Sequence, residues 1–141
     1  MLIQCLKQSL AIAPRYDQAL RNLGVVYQKQ GKFLEFRETL GKFDYRNDAQ
    51  MVHLLSSDLV KLNKYDDAAA VLREGLHQSP RSPELLELLG YLEYARLNDP
   101  TNAYEHFTQL LHLVPDHPKR GEYTNAVNFL ARRLGKTSSG N

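Results

Sequence analysis

Leu20-x2-Leu23-Gly24-x2-Tyr27, followed directly by Gly31-Lys32-Phe33, decides the reading of this chain. The apolar residues fall at helical spacing, and a glycine lies inside their stripe, one step after a leucine and three before an aromatic residue. A glycine is unfavourable in a helix interior, so it needs a packing reason. The reason expected here is a neighbouring helix so close that a side chain at Gly24 would push it away. Leu89-Gly90 restates the pair at the same phase in a later segment.

Outward from that stretch the chain repeats itself. Three prolines close similar phrases: Leu2-x3-Leu6-x7-Pro14, Ala68-x3-Leu72-x7-Pro80 and Ala103-x3-Phe107-x7-Pro115. A second phrase begins six residues after a proline. It reads Leu20, Leu23, Gly24, Tyr27 after Pro14, and Leu86, Leu89, Gly90 after Pro80, with Glu93 in place of the aromatic residue and Tyr94 beside it. A middle copy reads Val52, Leu55, Ser56, Leu59, with serine as the small residue. With Asp17, Ala49, Pro83 and Pro118 as unit starts, the spacings are 32, 34 and 35 residues.

In these phrases and this period the chain resembles the tetratricopeptide repeat family, whose unit is a helix–turn–helix of about 34 residues. The resemblance runs from Met1 to about Leu134. It implies an all-α fold: a right-handed α-solenoid of antiparallel helix pairs, in which each pair stacks on the next. Helices are expected at 2–12, 17–30, 33–43, 49–62, 65–78, 83–97, 101–113 and 118–134. They group as a leading half-unit (1–16), three units (17–48, 49–82, 83–117) and a capping helix (118–134), all within one repeat domain spanning 1–135. The tail at 136–141 is expected to be disordered. The first full unit is two residues short, lacks its closing proline, and has Phe36 and Phe43 where small residues are usual. Its second helix should therefore tilt or end early, near Phe43-Asp44.

Local chemistry supports the segmentation. Gly31 and Asn63 hold the same place between paired helices, and both tolerate the left-handed backbone of a tight turn. Asn98 does the same in the third unit, whose loop is one residue longer. Ser82-Pro83 and Asp99-Pro100 each set a capping side chain before a proline at the first helical position. Asp66 and Asp67 put negative charge where a helix dipole favours it. The final helix carries Tyr123, Val127, Leu130 and Leu134 on one stripe, turns Arg132 and Arg133 to water, and ends at Gly135.

Composition fits one soluble domain. The 141 residues are 43% hydrophobic and 24% charged, with no tryptophan and few Val or Ile, which favours helices over sheets. A net charge of +2 is too mild to signal nucleic acid. No apolar run reaches the roughly 18 residues of a membrane span, and Gln4 and Lys7 interrupt any signal-peptide core. Cys5 is the lone cysteine, so no intrachain disulfide or cysteine-built zinc cage is possible. The redox compartment stays open, with a reducing, cytoplasmic setting favoured.

No catalytic constellation, metal site or cofactor motif is expected. The chain has no Gly-x-Ser-x-Gly elbow, phosphate-cradling glycine loop or His-Glu-x-x-His. Cys5 reads as a small residue at the edge of a core. His106, His112 and His117 cluster in sequence, but a set of His112, Asp116 and His117 crosses a helix end at Pro115 and reads as ordinary histidines.

The function implied by the resemblance is non-enzymatic protein binding. In tetratricopeptide proteins the first helices of successive pairs line a concave groove. In this chain that places Gln18, Arg21, Val25 and Gln28 on the groove, then Gln50, His53, Ser57 and Val60, then Glu84, Glu87, Tyr91 and Tyr94. Tyrosine anchors with a polar fringe suit an extended peptide or a partner helix. Glu84 and Glu87 favour a basic segment near the third unit. The carboxylate clamp of chaperone-binding members does not carry over, because Arg21, Val25, Leu54, Glu84 and Leu88 stand at the matching places. The asparagine ladder of sugar-transferase superhelices fails as well, since Asn22 is followed in phase by Leu54 and Leu88. The first helix offers Leu2, Leu6 and Leu10 on an outer face, an expected site of self-association or of continuation into a longer array. The rival readings are an accessory domain of a larger enzyme or secretion or assembly protein, and a structural homo-oligomer.

Overall fold

A computed structural model describes residue 3 and residues 17–136. The expected first helix with Leu2, Leu6, Leu10 and Cys5, and the tail beyond residue 136, lie outside the described residues. Ile3 packs against the main core.

Seven α-helices and no strand are found among the described residues: α1 Asp17–Lys29, α2 Phe33–Leu40, α3 Ala49–Lys61, α4 Tyr65–Gln78, α5 Pro83–Ala95, α6 Pro100–Leu113 and α7 Arg120–Arg133. The pairs α1/α2, α3/α4 and α5/α6 form hairpins, and α4 packs on α5 and α6 on α7. The odd-numbered helices also touch in sequence, α1 on α3 and α3 on α5. This is the all-α solenoid of stacked helix pairs that the repeat implied.

The turns show the repeat most plainly. All four odd-numbered helices end in a residue with positive φ: Gly31 at 72°, Asn63 at 60°, Asn98 at 49° and Gly135 at 74°. In three of them the amide of the next residue returns to a carbonyl five positions back: Lys32 to Tyr27, Lys64 to Leu59 and Lys136 to Ala131. At Asn98 the same amide, that of Asp99, reaches six back to Glu93, which absorbs the extra residue of that loop. The final helix is thus built as the first helix of a further unit. Counting seven back from Gly135, as Gly24 and Ser56 stand seven before Gly31 and Asn63, lands on Asn128. No second helix packs there among the described residues, so no small residue is needed.

Leu20, Leu23, Leu55, Leu72, Leu85, Leu86 and Leu89 are buried between helices, as are Phe36 and Phe107. Each stabilises the fold by about 1.5–3 kcal/mol through apolar burial. The glycines sort differently from the expectation. A Cβ on Gly24 would meet the Phe36 ring at 3.6 Å, an ordinary contact, so this glycine is not what lets α1 and α2 approach. A Cβ on Gly90 would sit 3.2 Å from Phe107, and one on Gly75 only 2.6 Å from Val52 Cγ1. Gly75 on α4, not Gly24, marks the closest approach. Ser56 replaces glycine at no polar cost, because its buried hydroxyl donates to the Val52 carbonyl at 2.7 Å.

Other boundaries need correction. The second helix ends at Leu40, three residues before the expected 43, and a 3-10 turn at Tyr45–Asn47 fills the gap against α3 and α4. Gly41 follows Leu40 directly, and turns replace the helix from that glycine, the weakest ordinary helix former. The last helix begins at Arg120, two residues late, with Pro118 and Lys119 in a turn. Asp99 caps α6 through the Asn102 amide as expected. Ser82 makes no capping bond; its hydroxyl turns to Glu84.

Candidate functional site

The faces shared by α1, α3, α5 and α7 carry the polar chemistry, and their seams differ. Between α1 and α3, Arg21 Nε pairs with Asp48 Oδ2 at 2.6 Å, and Arg21 Nη2 donates to Gln50 Oε1. Asp48 is itself pinned, since its other oxygen accepts from the Gln50 and Met51 amides at the start of α3. Farther along the same seam Gln28 Nε2 donates to Asp58 Oδ1 at 3.2 Å.

Between α5 and α7, with the residues that flank them, five contacts follow one another like rungs. The Tyr123 hydroxyl donates to Glu87 Oε2, which also lies 3.5 Å from Lys119 Nζ. Next the Tyr91 hydroxyl donates to Glu122 Oε2 at 3.1 Å. The Tyr94 and Phe129 rings then meet with centroids 5.8 Å apart, and Arg133 donates to Asn98 Oδ1 at 2.7 Å. Burial, and next the bond to Glu122, push the Tyr91 hydroxyl up to about 12. Tyr123 is pushed up as well, first by burial and then by its bond to Glu87. Beneath the rungs, Phe107 takes Tyr91 edge-on at 5.3 Å and Tyr123 in a stack at 6.1 Å.

The seam between α3 and α5 has no such bridge. Among the described residues no hydrogen bond or ion pair joins the two helices' side chains, and the gap forms a hollow of about 290 Å³ lined by Ala49, Gln50, His53 and Glu84. Among the described residues the Gln50 amide nitrogen makes no hydrogen bond, while its oxygen is taken by Arg21. Glu84 accepts from Ser82 at 3.0 Å and has no cation within salt-bridge reach among the described residues. A second hollow, about 190 Å³, opens at the turn edge of the first two pairs and is lined by Gln28, Phe33, Asp58 and Leu62 among others.

The residues expected on the groove therefore fall into four sets. Gln50, His53 and Glu84 come together on the open seam, with Arg21 fastening Gln50 beside them. Gln28 lies on the α1/α3 bridge and the second hollow, while exposed Gln18 bonds within its own helix to Asn22 at 3.1 Å. Glu87, Tyr91 and Tyr94 are not brought to His53; they form the rungs to α7. Val25 and Val60 are half-buried against the core, and Ser57 is half-buried without a hydrogen-bond partner among the described residues. Tyr91 and Tyr94 stay 36% and 37% exposed, and Phe129 beside them 51%. Phe129 and Glu122 are missing from the expected set because a capping helix offers no repeat phrase by which to register them.

A charged group in the interior also escaped the reading. Glu93 stands where an aromatic residue was expected and is fully buried. Its carboxylate lies 2.6 Å from His106 Nδ1 and 3.4 Å from Arg73 Nη2, so both oxygens are met. His117 Nδ1 accepts from the Lys119 amide at 3.0 Å. No group of three or more His, Cys, Asp or Glu side chains that could hold a metal is found among the described residues. None of their helices is long and apolar enough to cross a membrane.

Residues 53–118 match the tetratricopeptide repeat family. No curated protein matches the sequence. Among solved structures the fold is similar to two crystal structures of MamA. One has a TM-score of 0.74 at 18% identity, covering 94% of this chain and 77% of that one. The other has a TM-score of 0.73 at 18% identity, covering 94% and 72%. A double mutant of MamA RS-1 gives 0.70 at 19% identity, covering 94% and 74%. At these identities the likeness is one of fold.

Proposed function

We propose that this tetratricopeptide-repeat chain is a non-enzymatic protein-interaction module that holds a segment of partner polypeptide on the face shared by α1, α3, α5 and α7. The observation that carries the reading is the unbridged seam between α3 and α5. Side-chain bonds or ring contacts close the seams on either side, whereas here Gln50, His53 and Glu84 surround a hollow with hydrogen-bonding capacity to spare. Concave surfaces with a few convergent polar groups are where ligands are taken up. The solenoid supplies rigidity: Arg21, Asp48 and the α3 amides hold Gln50 in place before any partner arrives, which lowers the ordering cost of binding.

Panning of a random peptide library against the chain tests this. The expected result is a set of retained peptides whose affinity falls at least about tenfold, or 1.4 kcal/mol, in the triple variant Gln50→Ala, His53→Ala, Glu84→Ala. Helicity should stay unchanged, because none of the three side chains is buried. Retained peptides that bind the triple variant as tightly as the native chain would overturn the assignment.

A further inference from the structure

The seam at α3/α5 and the exposed rings on α5 and α7 together specify what the partner carries. We infer that the bound segment is an extended, basic peptide whose arginine or lysine enters the α3/α5 hollow against Glu84, and whose apolar residue four or five positions away covers Tyr94 and Phe129. This deepens the protein-binding reading and rests on it.

Charge supports the first half. The chain as a whole carries +2, yet this face does not share that sign. The cations Arg21 and Lys119 are occupied by Asp48 and Glu87, and Arg133, at the far end of the α5/α7 rungs, donates to Asn98. Glu84 and Glu122 meet only the hydroxyls of Ser82 and Tyr91, and no cation lies within salt-bridge reach of either among the described residues. An acidic segment would be repelled here, and a basic one finds two carboxylates, on the first turns of α5 and α7, that no cation pairs with among the described residues. Gln50 and His53 line the same hollow beside Glu84.

Geometry supports the second half. Tyr91, Tyr94 and Phe129 form one exposed aromatic surface on a floor of buried Phe107. Their hydroxyl-free edges offer stacking and apolar contact of the kind that anchors peptides. Glu84 and Tyr94 are ten residues apart on α5, which is about 15 Å of helix. An extended chain covers that span in four to five residues at roughly 3.3 Å each.

The experiment is a charge and spacing analysis of the peptides retained in the panning above, followed by titration of one fluorescent peptide, Arg-Ala-Ala-Ala-Ala-Leu, and its variants. Retained sequences should be enriched in Arg or Lys four or five positions from Leu, Met or an aromatic residue. The test peptide should bind at least tenfold less tightly when its arginine is replaced by glutamate. Binding should also weaken severalfold against Glu84→Gln and, separately, against Tyr94→Ala, both exposed substitutions that leave the helices intact. Retained peptides without a basic residue, or binding indifferent to Glu84→Gln, would overturn this inference and leave the interaction module standing. A library that retains nothing would remove both.

Discussion

Gly24 and Gly75 show how a residue can be read correctly for helix type and wrongly for contact. The sequence places Gly24 within an apolar stripe, where a close helix is the natural inference. Which glycine is pressed hardest depends on rotamers across the interface, and Val52 presses on Gly75. Gly24→Ala should therefore be neutral or stabilising by up to about 1 kcal/mol through helix propensity. Gly75→Ala should cost about 1–3 kcal/mol by overpacking. Urea denaturation of both variants checks the order, and a larger loss at position 24 would contradict it. Glu93 teaches the same lesson for charge. A glutamate at an aromatic position gives no hint in sequence that His106 and Arg73 converge on it. His106→Ala leaves a fully buried carboxylate oxygen without its nearest partner and should cost about 1–3 kcal/mol. Arg73→Ala, at a longer and half-exposed contact, should cost less in the same denaturation assay.

Helices were legible where periodicity and turn chemistry agreed. Gly31, Asn63, Asn98 and Gly135 all take the left-handed conformation that ends an odd-numbered helix, including the longer loop at Asn98. One boundary failed at Leu40, where Gly41 follows and turns replace the helix. The pairing of α5 with α7 was hidden, because its rungs join residues more than thirty positions apart with no shared phrase. That pairing has a pH signature. Folding raises the Tyr91 hydroxyl to about 12 from its usual 10 and raises Tyr123 too, so both favour the protonated form in the folded chain. Their contribution is complete below pH 10 and is lost as pH rises through the folded values. The urea midpoint should fall between pH 10 and 12, and fall less steeply in the double variant Tyr91→Phe, Tyr123→Phe. An identical decline in that variant would mean the α5/α7 rungs do not hold these protons.

At the scale of the whole molecule, the stacking of hairpins was readable from period alone, because each pair must bury its apolar faces on the next. The lining of the shared face was readable in part. Gln50, His53 and Glu84 line one hollow, whereas Glu87, Tyr91 and Tyr94 are engaged by α7, the next odd-numbered helix. What the sequence could not show is which seam stays unbridged, since that depends on the reach of Arg21 and of the tyrosine hydroxyls across neighbouring helices. The most direct test is amide chemical-shift mapping of the ¹⁵N-labelled chain with a peptide retained in the panning. The account predicts the largest shifts at Gln50, His53 and Glu84, extending to Tyr91 and Tyr94 along α5. Shifts confined to α2, α4 and α6, with those residues unmoved, would contradict it.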